Sequence, residues 1–401
     1  MSDILLTPGP TPLPPQVREA LGRPIIHHRT GTYRAIFKRV LQGMQTVMQT
    51  AHPVICLTSS GTGAMEAAVV NLLSPGDEAI VVLGGKFAER WQDLCRVYGM
   101  TVIPISVAYG DAVNSSEVAA ALKAHPKAQA VFATLCETST GVVHDLKALA
   151  QVTRQSPAVL VVDAISGLVA DECLTDAWGI DVVVTGSQKG LMLPPGLAFV
   201  SLNARAWALV DQTKTPRFYT DLRLARTALA DDDTPFTSAV SLIIALDEAL
   251  KLILQRGVPQ TVQRCAQLAQ ATRAGMEGLG LSLFAKRPSN GVTAVNVPSG
   301  VDGKQLTKLM HDRSHVMVAG GQGDMAGKIF RFAHMGYIGA DDILAGLTAL
   351  EQALTELGAK VPVGEGIRAA KALLASINDQ RPSTVHRPPS TEKAKAETRR
   401  L

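Results

Sequence analysis

The feature that most constrains this chain is an alternation. Short apolar runs occupy residues 54–58, 79–83, 101–106, 128–134, 158–162, 181–185 and 197–201, and helix-like or turn-like stretches lie between them. After the first run, Met65, Ala68, Val69, Leu72 and Leu73 recur at helical spacing, and Ser74-Pro75-Gly76-Asp77 ends the helix. Runs that are apolar on both faces suit a mostly parallel sheet buried between two layers of helices. The expected class is therefore α/β. Past residue 235 the pattern changes: helices are expected over 238–254, 258–279 and 340–357, and strand-like pieces at 292–297, 315–319 and 328–333. This reads as a smaller α+β domain. The expected organisation is an extended arm over 1–20, a large domain over 21–260, a small domain over 261–370 and a basic, disordered tail over 371–401. The arm is dense in proline from Pro8 to Pro15, which excludes a regular helix or central strand there. It should lie extended over the protein, and the mouth of an active site is one place for it.

Composition narrows the function classes. With 46% hydrophobic and 18% charged residues the chain can bury a large core. No apolar run is long enough for a membrane span, and the N-terminus lacks the pattern of a secretory signal. Cys56, Cys95, Cys136, Cys173 and Cys265 are odd in number and dispersed, so reduced thiols in a cytoplasmic protein are expected, without a zinc site. The net charge is +4, but the segment 381–401 holds six basic and two acidic residues and accounts for the whole surplus. The remaining body is neutral and gives no sign of a nucleic-acid surface.

In such a sheet, ligands bind beyond the carboxyl ends of the strands. Ser59-Ser60-Gly61-Thr62-Gly63 follows one strand and opens a helix, where free N–H groups and the helix dipole favour a phosphate. Asp163 closes the strand 158–162, and a carboxylate there needs a partner. Lys189 lies four residues beyond the next strand, where shielding can make its amine a nucleophile toward a carbonyl. Taken singly, each also fits an ordinary turn, helix cap or surface lysine. Together they supply an anion cradle, an acid and an amine at one sheet edge, which are the requirements of pyridoxal phosphate (PLP). Arg331, between Phe330 and Phe332, puts a guanidinium on an apolar strand and calls for an anion: a substrate carboxylate or a structural acidic partner.

These residues stand in recognisable motifs: Thr7-Pro8-Gly9-Pro10, Ser60-Gly61-Thr62-Gly63-Ala64-Met65-Glu66, Glu137-Thr138-Ser139-Thr140-Gly141, Asp163-Ala164, Gly186-Ser187-Gln188-Lys189-Gly190 with Pro194-Pro195-Gly196, and the run from Phe330 to Gly336. From Leu5 to Leu357 the chain resembles the class V aminotransferases of PLP fold type I. It is most similar to their alanine/serine–glyoxylate branch, which includes bacterial proteins labelled as a soluble hydrogenase small subunit. The resemblance implies a seven-stranded sheet in the large domain and transamination between alanine or serine and glyoxylate or pyruvate. It implies that Lys189 forms the Schiff base and carries the proton, that Asp163 pairs with the pyridinium nitrogen, and that Ser60, Gly61, Thr62 and Gln188 hold the phosphate. It also implies that Phe87 stacks on the ring, where mammalian members carry tryptophan. Thr138 would bond the ring hydroxyl, and Arg331 and Gly9 would bind substrate. Thr237 would reach the phosphate of a neighbouring subunit, which requires a homodimer. Other class V chemistry (2-aminoethylphosphonate transamination or cysteine desulfuration) and a non-catalytic hydrogenase-associated subunit are the alternative readings.

Overall fold

The computed structural model describes residues 3–375. Most of the expected 371–401 tail lies outside them, and its described beginning closes a helix, Glu365–Leu374.

Seven strands form the large sheet, in the order Val54–Leu57, Ala198–Leu202, Val182–Gly186, Val159–Asp163, Ala130–Thr134, Glu78–Leu83, Thr101–Ser106. Ala198–Leu202 runs antiparallel to both its neighbours, and all other pairs are parallel. Side chains alternate between two buried cores. Ile80, Val82, Val131, Leu160 and Val162 point to one, and Ala79, Val81, Phe132, Val159 and Val161 to the other. That period of two, with both faces apolar, is why the runs carry no polar stripe. Thr101–Ser106 is one of the two edge strands, partly exposed, and among the seven it alone carries a proline in its middle.

Beyond the helices Val240–Arg256 and Val258–Gly278, a second sheet pairs Val292–Asn296, Ile329–Ala333 and Ala319–Gly320 antiparallel. Its core gathers Val295, Phe330 and Phe332 with Leu268, Leu347 and Leu350 from the helices. The expected single strand at 315–319 is two pieces with different partners. Val316–Met317 pairs with Ile4–Leu5 of the arm, and Ala319–Gly320 pairs with the strand of Arg331. The arm is extended only to Pro14. Residues Pro15–Leu21 form a helix whose first position is proline, where the missing N–H costs nothing.

The arm is fixed at both ends. Leu6 is fully buried in the small core, and its carbonyl accepts from Ala333 N–H at 2.8 Å. Further on, Thr11 binds the turn that carries Lys189, by its N–H to the Gln188 carbonyl (3.2 Å) and its hydroxyl to the Lys189 carbonyl (2.9 Å). Between these anchors Thr7–Pro10 bends, with Gly9 N–H donating to the Thr7 carbonyl (2.7 Å), and lines the cavity that Lys189 and Arg331 share.

Candidate active site

Lys189 stands on a closed turn. The strand Val182–Gly186 ends, and Ser187 closes the loop: its hydroxyl donates to the Pro194 carbonyl (2.7 Å) and accepts from Leu197 N–H (3.2 Å). The Pro194-Pro195-Gly196 segment thus returns the chain to the sheet while Lys189 projects from the turn. The lysine is buried, and its Nζ donates to the Pro8 carbonyl of the arm. Burial lowers its pKa to about 8, and Arg331 and Arg90 push the same way, against the pull of Cys136 and Asp163.

The amine opens on a cavity of about 350 Å3 lined by Gly9, Phe87, Thr138, Gln322 and Arg331 among others. Gly9 has φ +103°, and a Cβ there would meet the Lys189 side chain at 2.5 Å. Only glycine meets both demands.

Asp163, at the last position of its strand, is 3% exposed. Its Oδ1 accepts from Ile165 N–H at 2.7 Å. The other oxygen has no hydrogen-bond partner among the described residues. Burial raises its pKa to about 7, Ile165 N–H opposes that, Glu137 adds to it, and Arg90 and Lys189 oppose it. A buried acid with one oxygen free suits a ring N–H.

The helix Gly61–Leu72 starts at the same edge. Its N-cap, Ser60, makes no capping bond with its side chain. Gly61 and Thr62 are its first two residues, so their N–H groups have no acceptor within the helix. The Gln188 amide lies alongside: a Cβ on Gly186 would be 3.0 Å from Gln188 Oε1 and 3.2 Å from Gly61 N. That Oε1 is buried without a partner. Rotation of the amide puts its N–H2 at the same place, facing an anion in the cradle. These free donors, the free oxygen of Asp163 and the buried amine fit PLP: phosphate, ring nitrogen and aldehyde each have a counterpart.

Arg331, 4% exposed, comes from the small sheet. Its Nη1 donates to the Thr138 carbonyl (2.8 Å), and its Nε and Nη2 donate to the Gly320 carbonyl (3.1 and 2.7 Å). Among the described residues no carboxylate lies within ion-pair distance of it. Burial brings its pKa down to about 10, with Glu137 and Cys136 acting against the shift. The Thr138 hydroxyl donates to Ser166 Oγ at 2.6 Å.

Sequence reasoning missed two groups. Arg90 donates to Thr62 Oγ1 at 3.0 Å, and its guanidinium carbon lies 5.2 Å from the centre of the Phe87 ring. The signal was its place three residues after Phe87 in one helix, which puts both on one face. The Pro8 carbonyl that holds Lys189 carries no side-chain signal at all. Thr237 is exposed and does not line the cavity.

Comparison with known proteins agrees with this geometry. The family described as aminotransferase class-V matches residues 5–333. A protein of Synechococcus sp. (strain PCC 6716) named soluble hydrogenase, small subunit, is 42% identical over 93% of this chain and 98% of its own. The L-aspartate–glyoxylate aminotransferase of Paracoccus denitrificans is 34% identical over 92% and 95%. The crystal structure of pyridoxamine–pyruvate aminotransferase from Mesorhizobium loti superposes with a TM-score of 0.90 at 31% identity, covering 94% of this chain and 98% of that one. On this footing the chain belongs to the class-V aminotransferase family, as a PLP-dependent aminotransferase of fold type I.

Proposed function

We propose that this enzyme moves an amino group between a small, uncharged amino acid (alanine or serine) and a small 2-oxo acid (glyoxylate or pyruvate). The observation that carries the reading is Arg331. Among the described residues this buried guanidinium bonds only to carbonyls, and it opens on the cavity of Lys189. A substrate carboxylate supplies the missing anion, held by the N–H groups that the carbonyls leave free.

When bound, PLP supplies an electron sink for the bond broken at the substrate α-carbon. The chain's residues do the rest. Lys189, whose lowered pKa leaves part of it neutral near pH 8, holds and returns the α-proton. Asp163 keeps a negative charge where a ring nitrogen needs one. Ser60, Gly61, Thr62 and Gln188 anchor the phosphate, Phe87 covers one ring face and Thr138 lies beside it. Gly9 leaves room for substrate against the lysine.

The rest of the cavity wall favours small, uncharged side chains. Leu5, Pro8, Pro10, Met317 and Ala319 are apolar, and among the described residues Lys189 and Arg331 are the only charged side chains that line it. The glyoxylate relative of Paracoccus denitrificans is named for an aspartate donor. A second carboxylate would find no second cation on this wall. The five cysteines are all buried, which disfavours desulfuration by an exposed thiol. Lys189 and Asp163 are both present, which favours catalysis over a non-catalytic subunit role.

A homodimer completes the proposal, with Thr237 reaching the partner's phosphate site. The test is a donor panel followed by the visible absorbance of the bound cofactor. Alanine or serine should bleach it, and glyoxylate or pyruvate should restore it, with parallel-line initial-rate plots. A response to aspartate alone would overturn the donor class.

A further inference from the structure

Glu137 precedes Thr138 and is fully buried. Its Oε1 accepts from Ser139 N–H (3.1 Å), Phe87 N–H (3.3 Å) and the Ser139 hydroxyl (2.5 Å), and its Oε2 accepts from Ala88 N–H (2.9 Å). The Ser139 hydroxyl oxygen in turn accepts from Lys86 N–H at 3.0 Å. The helix Lys86–Val97 has glycine at its N-cap and so has no cap of its own. Glu137, at the end of the short strand Cys136–Glu137, and Ser139, in the turn that follows it, take its first three N–H groups instead. This fixes the turn that carries Phe87.

The four contacts on the carboxyl group all bring a hydrogen toward it, and the positive end of the helix faces it. Both features select the ionised form. Burial pushes the acid's pKa up, and the four donors oppose that shift without cancelling it, so the net direction is upward. The charge reaches the groups around it. It favours the protonated form of Arg331 and disfavours ionisation of Asp163, Cys136 and Tyr109. The next residue's carbonyl binds Arg331 Nη1 directly.

We infer that Glu137 is a positioning residue with two outputs: it caps the helix that presents Phe87, and it is the fixed countercharge of Arg331. The second output rests on the reading of Arg331 as the carboxylate holder. Glu137 touches neither substrate nor cofactor and acts through these two residues. It offsets part of the positive charge that Arg331, Arg90 and Lys189 bring into one buried site.

The test uses the holoenzyme of Glu137→Gln, which keeps the shape and removes the charge. Loss of a buried negative charge that acts on Arg331 and Asp163 makes the site more positive and disfavours binding a proton there. The pH midpoint of the cofactor's visible absorbance should therefore fall by about one unit. Competitive inhibition by acetate should tighten about three- to tenfold, because Arg331 is no longer offset. A purely structural role predicts the opposite pattern: a lower melting temperature, weaker acetate binding and an unmoved midpoint. That pattern would overturn the countercharge. Ser139→Ala keeps the charge and serves if the first variant does not fold. It should leave the midpoint in place while hydrogen exchange at Lys86, whose N–H loses the Ser139 hydroxyl as acceptor, speeds up about tenfold. Unchanged exchange there would overturn the cap. Acetate must also fail to inhibit Arg331→Gln. If it inhibits that variant as well as the parent, the Arg331 reading fails instead, and the absorbance midpoint alone decides for or against Glu137.

Discussion

Arg331 donates to two carbonyls, and among the described residues no acid bonds it directly; Glu137 acts on it only from farther away. Such a group is placed for a partner that comes and goes. Lysine cannot keep three directional bonds and grip a carboxylate at once. In Arg331→Lys, kcat/KM should fall by about 10–100-fold, mostly through KM, as steady-state kinetics will show. Asp163 is the other strained charge. Its folded-state pKa of about 7 lies above the 3.8 of a free aspartate. A raised acid stabilises the fold below its unfolded pKa, and that contribution is lost as pH rises toward and through 7. The cofactor-free protein should thus lose stability between about pH 4 and 7, and Asp163→Asn should flatten that dependence. At pH 8 the cofactor-free variant should melt above the parent while binding PLP more weakly. Thermal melts across pH check both. At this scale, Lys189 and Asp163 were legible because each follows an apolar run at a strand end. Arg90 and Glu137 were less so, because their roles arise from a helix terminus meeting a distant loop, and no local spacing encodes that meeting.

Among the elements, the arm is the one that joins everything. It adds a strand beside Val316–Met317, buries Leu6, crosses the cavity mouth at Pro8–Pro10 and ties down the Lys189 turn through Thr11. Its proline density announced an extended segment, and the helix from Pro15 could have been anticipated from proline's preference for a first helical position. Its strand pairing could not, since two residues of strand carry no periodicity. Leu6→Ala removes a fully buried anchor and should destabilise the protein by about 2–5 kcal/mol. It should also raise KM, because the Pro8 carbonyl and Gly9 lose their fixed place over the amine. Denaturant unfolding and steady-state kinetics measure the two effects. The split of 315–319 has the same lesson. An apolar run predicts a strand, but its two ends find different partners in a fold whose neighbours the local sequence does not name.

For the whole molecule, the site exists only where two sheets face one another. The large sheet places Lys189, Asp163 and the start of the helix Gly61–Leu72 along its carboxyl edge, and the small sheet contributes Arg331. The alternation of apolar runs made the first sheet legible as a class, with its single antiparallel strand unmarked. The meeting of the two sheets was not legible, since it depends on contacts such as Arg331 with Thr138 across 193 positions of chain. Thr237, Phe218 and Tyr219 are exposed, the last two at 73% and 50%, and this is the face that the proposed homodimer calls on. Light scattering on the eluting protein should give about twice the mass of one chain, and Thr237→Ala should weaken PLP binding without dissociating the pair. A monomeric, fully active protein would remove Thr237 from the site.

The central claim is that one lysine amine bonds the cofactor. Reduction of the holoenzyme with borohydride, then digestion and mass spectrometry of the peptides, reads it directly. The account predicts a single phosphopyridoxyl adduct, on Lys189. An unmodified Lys189 peptide, or an adduct on any other lysine, would contradict it.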